Sequence, residues 1–274
     1  MKLSYHTTTF RNFKIDEAIR LIAAAGYKGV DMAMIDPHLH VMKCTDEQVR
    51  ETKKLCDSLG LEVACVCVAW PNLLSETPYE PTIINADPKG RQARIDSLKR
   101  TIEVAHMFES PCINMVSGYP FERVSPEQSR EYLLEGITTL LPELGSTVMA
   151  IEPEPDFFIE TTTDAISVIK ELGSKNFGLT MDIGHVIISE DDPYGAIERA
   201  LPYTSHIHVE DIKDKVHAHL SFGEGDIDYV RVIAAIKAAS YPHYVSVELQ
   251  NHMDKWHRAL YESRDYLTQL FKAD

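Results

Sequence analysis

The chain has 274 residues, with 27 lysines and arginines against 42 aspartates and glutamates, for a formal net charge of −15. That length suits one large domain, and so acidic a surface repels nucleic-acid phosphate unless a basic stripe interrupts it. No stripe occurs, since Lys53-Lys54 is short and the run 213–215 is split by Asp214.

No stretch approaches the ~18 apolar residues of a membrane span. The opening Met1-Lys2-Leu3-Ser4-Tyr5-His6 lacks the apolar core of a secretion signal. The five cysteines (Cys44, Cys56, Cys65, Cys67, Cys112) include no Cys-x-x-Cys pair. They read as buried thiols of a cytoplasmic protein rather than a zinc site or disulfides.

Strand-type runs and helical patterns alternate along the chain. A strand at 2–6 precedes a helix at 15–25, with Ile15, Ala18, Ile19 and Ile22 at helical spacing and a stop at Gly26. A strand at 29–34 leads to a helix at 45–59 that stops at Gly60. The strand at 62–69 is followed by a long loop, 71–88, holding Pro71, Pro78, Pro81 and Pro88, and then by a helix at 91–107. Strand 112–117 pairs with helix 125–141, strand 148–152 with helix 163–172, and strand 177–182 with helix 193–201. Strand 206–210 precedes helix 227–239, and strand 244–250 precedes helix 255–271.

Eight such units without hairpin signals predict parallel strands closing into a (β/α)8 TIM barrel, one domain over 1–274. An open doubly wound sheet is the alternative, but Thr7-Thr8-Thr9 is not its glycine-rich first turn.

Four late strands share one pattern. Glu152, Asp182, His208 and Glu248 stand at their C-terminal ends, spaced by 30, 26 and 40 residues, or one βα unit apiece. Ile151, Met181, Ile207 and Val247 are apolar, whereas Ala150, Thr180, His206 and Ser246 share the parity of the acids and are small or polar. Strand side chains alternate faces, so the four candidates point into the barrel mouth. Three carboxylates and one imidazole suit one divalent cation, Mn2+ first, with Mg2+, Co2+ or Zn2+ as alternatives.

Other candidates flank them. His185 follows Asp182 by three residues, with Gly184 allowing a tight turn at the strand end. Glu154 shares parity with Glu152 between Pro153 and Pro155, and is expected either to touch substrate or to form an ion pair. His217 and His219 flank the site from a loop that continues through Gly223 and Gly225, with Asp226 or Asp228 capping the next helix. His38 and His40 read as polar loop residues.

In Ile151-Glu152-Pro153, Met181-Asp182-Ile183-Gly184-His185, His206-Ile207-His208-Val209-Glu210-Asp211, Gly223-Glu224-Gly225-Asp226-Ile227-Asp228 and Val247-Glu248, the chain resembles the xylose-isomerase-like barrel superfamily. Its sugar isomerases and epimerases include the ketose 3-epimerases. The resemblance implies metal ligation by Glu152, Asp182, His208 and Glu248, and substrate contact from His185. It also implies that Glu152 and Glu248 act as an acid/base pair, removing and returning a proton beside a sugar carbonyl through an enediolate. Glu154, His217 and His219 join His185 as candidate substrate contacts.

Two departures from the ketose epimerases point to a less typical substrate. No arginine occurs in 212–219, and strand five continues as Glu152-Pro153-Glu154-Pro155. A lyase acting on a 3-oxo-glycoside, like the C-glycoside deglycosidases, is the alternative within the same chemistry. A non-catalytic sugar-binding barrel is a second. An endonuclease IV-like repair enzyme is the least favoured, because the regions after strands three and four offer no histidines. Partners are thus a small sugar or keto-sugar, with neither nucleic acid nor membrane. Relatives often pair through barrel faces, which leaves a homo-oligomer open.

Overall fold

The computed structural model describes residues 2–272. Its strands, in chain order, are β1 (Lys2–His6), β2 (Gly29–Ala33), β3 (Glu62–Cys67), β4 (Cys112–Val116), β5 (Val148–Glu152), β6 (Phe177–Asp182), β7 (Thr204–Val209), β8 (Asp211–Lys213), β9 (Val216–Leu220) and β10 (Tyr244–Val247). Eight of them close a parallel barrel in the order β1-β10-β7-β6-β5-β4-β3-β2, while β8 and β9 form a separate two-stranded sheet. This is the expected (β/α)8 architecture.

The helices are α1 (Ile15–Ala24), α2 (Asp46–Ser58), α3 (Pro88–Phe108), α4 (Pro126–Leu140), α5 (Thr162–Leu172), α6 (Ile183–Ser189), α7 (Pro193–Ala200), α8 (Tyr229–Ala238) and α9 (Trp256–Lys272). Their starts follow from capping chemistry. Thr45, Asp87, Ser125, Thr161 and Asp228 each accept a backbone N–H of the first turn, and such a cap is worth about 1 kcal/mol. Asp228 therefore caps α8, and Asp226 instead accepts the Asp214 N–H at 3.0 Å. Gly173 stops α5 in the left-handed conformation, with φ at 58°.

The core lies between the strands' outward faces and the helices. Tyr5, Val30, Met32, Ile113, Met149, Ile151, Leu179, Met181, Ile207 and Val245 are fully or nearly fully buried there. The barrel interior is lined differently. Ser4, Asp31, Thr180, His206 and Ser246 are buried polar groups, and Cys65, Cys112 and Ala150 form a small cluster of their own. All five cysteines are free.

Two features differ from the sequence expectation. The segment after β7 is a hairpin, not an open loop: β8 and β9 pair antiparallel, Asp211 with Leu220 and Lys213 with Val216. Its turn, Asp214-Lys215, holds both residues at positive φ, 54° and 58°. That is the primed turn of two-residue hairpins, usually announced by Asn-Gly or Asp-Gly, and a lysine at its second position hides the signal. The second feature is α6, which begins directly at the end of β6. Gly184 lies inside its first turn rather than in a bend. A Cβ there would overlap the Glu210 carboxylate, which would have to shift to make room.

Candidate functional site at the barrel mouth

Glu152 and Asp182 end β5 and β6, His208 is the penultimate residue of β7, and Glu248 directly follows β10. Strand register sets Asp182 beside His208, and His208 beside Ser246. The four side chains converge, with one donor atom of each lying within 4.8 Å of the others. His208 Nδ1 is 2.9 Å from Glu152 Oε1 and 3.1 Å from Glu248 Oε2. Asn114, on β4, donates to Glu152 Oε2 at 2.7 Å. Asp182 uses Oδ1 to accept the His185 N–H, capping α6, while its Oδ2 is buried without a hydrogen-bond partner.

Three buried or half-buried carboxylates gathered at one point are costly, and a cation offsets that cost. The donor set of three carboxylates and one imidazole therefore fits a divalent ion. Burial alone would lower the His208 pKa, but Glu248 and Glu152 outweigh it and hold the ring protonated to well above the usual imidazole range. Burial would raise Glu248, yet His6 and His208 hold it well below the usual carboxylate range. Imidazole and carboxylates thus already compensate one another.

Beneath this cluster lies a buried network that the sequence analysis did not assign. Asp31 Oδ2 bonds to His208 Nε2 at 2.8 Å and to His206 Nε2 at 2.7 Å. His6 Nε2 lies 3.9 Å from the other Asp31 oxygen, and His6 Nδ1 lies 3.8 Å from Glu248. Burial would raise Asp31, but His6 and His206, with hydrogen bonds from His206 and His208, hold it well below the usual range. Asp31 thereby fixes His208 with Nδ1 facing the carboxylates. A lone aspartate in Val30-Asp31-Met32, at the parity of the barrel interior, was the available signal. Glu210 was also missed. Burial, and then the neighbouring Asp182, push its pKa well above the usual range, so it stays protonated beside that carboxylate.

The outer wall is built from α6, the hairpin and the segment after β5. His185 is buried on the first turn of α6, with Nδ1 2.9 Å from the Pro153 carbonyl. Its Nε2 lies 3.1 Å from His217 Nε2, which in turn lies 3.0 Å from His219 Nε2. Gln250 closes this chain at 2.5 Å from His219. Glu154 lies 3.7 Å from both His185 and His217. Burial raises Glu154 to about 8, with His185 opposing. Burial would lower His185, but Asp182 and Glu154 raise it to about 9. Burial, with His185 and His219, lowers His217 to about 4. A protonated His185 therefore faces a neutral His217. Glu154, His185 and His217 also form a second group with metal-compatible spacing.

A cavity of about 270 Å³ joins both regions, lined by Glu152, Glu154, His185, His217, His219 and Glu248, with Trp70 and Tyr79 on the side of the long 71–88 loop. All eight sequence-assigned site residues except Asp182 and His208 reach its wall, and those two lie beneath it in the buried cluster. His38 and His40 do not line it. His38 bonds the Phe10 carbonyl at 3.0 Å, and His40 is buried rather than exposed. None of the described helices is long and apolar enough to cross a membrane.

Known proteins resemble this chain in sequence or in fold. An inosose dehydratase from Geobacillus thermodenitrificans is 23% identical, with 87% of this chain and 91% of that protein covered. An uncharacterized protein from Methanocaldococcus jannaschii, MJ1311, is 25% identical over 60% of this chain, which spans 59% of that relative's length. The crystal structure of a D-tagatose 3-epimerase-like protein superposes with a TM-score of 0.84 at 19% identity, covering 99% of this chain and 97% of that one. The IolI protein, crystallised with a bound zinc atom, superposes with a TM-score of 0.79 at 17% identity, covering 99% and 98%. At such identities the structural likeness establishes the fold alone. The family profile is more specific: it matches residues 19–270, a span that takes in the strand-end cluster, Asp31, the hairpin and the cavity. With that match, the chain belongs to the xylose isomerase-like TIM barrel family.

Proposed function

We propose that this protein is a metal-dependent sugar isomerase or epimerase that moves a proton beside a carbonyl. The observation that carries the reading is the pairing of Glu152 and Glu248 around one imidazole, both lining one cavity from strands separated by β6 and β7. Glu152, Asp182, His208 and Glu248 would hold the ion, Mn2+ first among the candidates. When bound, a divalent cation there polarises a substrate carbonyl and makes the neighbouring C–H more acidic.

The side chains divide the remaining work. One glutamate takes the proton, giving an enediolate, and the other returns a proton to the opposite face. Asn114 holds Glu152 in position through its 2.7 Å bond. His185, charged up to about pH 9 and held at Nδ1 by the Pro153 carbonyl, exchanges His217 for a substrate oxygen at Nε2, and His217, His219 and Glu154 line the same wall. Residues 1–274 act as one domain in this reading, in the cytoplasm, and a homo-oligomer is compatible with it.

A second reading, elimination, is favoured by one observation. Glu154 keeps its proton to about pH 8 in the same cavity, where it can protonate a leaving oxygen. The inosose dehydratase relative fits that chemistry. Proton removal beside a carbonyl is common to both readings, so one experiment tests them together. Free ketoses, keto-inositols and 3-oxo-glycosides are incubated in D2O with Mn2+ and followed by NMR. Deuterium beside the carbonyl is expected, with an epimer, an isomer or a dehydrated product deciding between the readings. Chelation should stop the exchange, and Mn2+ or Co2+ should restore it. Exchange that persists in verified metal-free protein rules out the metal-dependent mechanism.

A further inference from the structure

The cavity also carries information about substrate charge. Its wall presents Glu152 and Glu248, and Glu154 with its proton held to about 8, and no lysine or arginine occurs among the described lining residues. Arg11 and Lys215, the basic groups nearby, are not among the residues of its wall. Arg11 lies over the Trp70 ring, 4.7 Å from its centroid, and donates to the Gln250 carbonyl at 3.3 Å, with Nη1 buried and without a hydrogen-bond partner. Lys215, on the hairpin turn, reaches the carbonyls of Ile188 and Glu190. Phosphate and carboxylate recognition ordinarily relies on a guanidinium fork or an ammonium, and the basic groups of this wall are histidines instead.

The second observation is independent. Barrel enzymes often bind phosphate on backbone amides of the loops after strands seven and eight. Here the glycine loop after the hairpin does present such amides, but Asp211 fills them. Its Oδ2 accepts the N–H groups of Gly223 at 2.8 Å and Gly225 at 3.0 Å, and its Oδ1 accepts those of Ile212 at 3.0 Å and Ile227 at 3.3 Å. Asp211 is itself buried, so this anion is built into the fold. The cradle is closed to a phosphate from solution.

The third is size. At about 270 Å³, the cavity lies just below the ~300–1,000 Å³ range of small-molecule pockets. One aromatic wall, Trp70 and Tyr79, and two amides, Gln250 and Asn251, supply what a single polyhydroxylated ring needs.

We infer that the substrate is an uncharged, monosaccharide-sized keto-polyol, and that phosphorylated and carboxylated sugars are excluded. The keto group rests on the proton-transfer reading above; the absence of charge and the size rest on the cavity and on Asp211. The test separates the two. Calorimetric titration of the full chain with Mn2+ present compares a free ketose and a keto-inositol with a ketose phosphate ester and a 2-keto acid. Deuterium exchange is scored on the same mixtures. A neutral compound should bind tighter than its anionic counterpart by about tenfold or more. Binding of a neutral compound without exchange supports the inference and defeats the proton-transfer reading. Equal or tighter binding of the phosphate ester or the keto acid overturns the inference, whether or not exchange occurs. Binding by none of the four also overturns it.

Discussion

The strand-end cluster and the histidine wall above it are fixed by different means. Glu152, Asp182 and His208 sit on barrel strands whose register places them; Asn114 on the neighbouring β4 braces Glu152, and Asp31, reaching across the barrel from β2 and held by His206, braces His208. His217 and His219 sit on a two-stranded hairpin outside the barrel, and His217 remains 31% exposed at its side chain. Strand-borne groups are over-determined by the ladder on both sides. Hairpin-borne groups depend on a two-residue turn and on contacts such as the 2.8 Å bond between His252 and the His219 carbonyl. The inner region thus suits a task needing fixed geometry. The outer one suits a task that varies with substrate.

Substitutions can break this contrast. The largest effect is expected from Glu152→Gln or Glu248→Gln, which should lower deuterium exchange by about 10²–10⁴-fold while the melting temperature shows a folded barrel. Full activity in either variant would remove that residue from the acid/base pair. Next comes Asp31→Asn, which touches no cavity surface. It should weaken metal binding by about 10–100-fold, as loss of a carboxylate behind a ligating imidazole does, read by metal titration rather than by turnover. Unchanged metal affinity would show that the strand ladder alone positions His208. His217→Ala should raise KM by about tenfold with kcat and metal content nearly unchanged, as for lost uniform binding. A fall in metal content instead would join the hairpin to the ion site and erase the contrast.

The smallest effect concerns pH. Glu154 holds its proton to about 8 against an ordinary value of 4.5, and His185 to about 9 against 6.5. Each binds its proton more tightly folded than unfolded, so its contribution is complete below the ordinary value and lost as pH rises through the folded one. The metal-free protein should therefore lose melting temperature between about pH 4.5 and about pH 9, and Glu154→Gln should flatten the part of that slope below about pH 8. A melting temperature that rises over this interval would contradict both assignments.

Alternation along the late strands was enough to place Glu152, Asp182, His208 and Glu248 at one mouth, because a side-chain period of two and a one-unit spacing leave little freedom. Capping residues such as Thr45 and Ser125 likewise marked helix starts by local chemistry. Less legible was whatever depends on partners distant in the chain. Asp31 meets His206 and His208 across about 175 residues of sequence, and its isolated carboxylate in an apolar run carries no local mark of that contact. His217 and His219 were legible as candidates, but not their antiparallel hairpin, since Asp214-Lys215 lacks the glycine that usually signals such a turn.

The sequence by itself therefore determined the barrel, its eight βα units and the four strand-end side chains, because these follow from periodicity and spacing. Tertiary structure alone decided what surrounds them: the Asp31 network behind His208, the protonated Glu210 beside Asp182, and the Asp211 carboxylate that occupies the glycine loop. The physical reason is the same for each. Burial turns a polar side chain into an obligation to find a partner, and closure of the barrel chooses which one it finds.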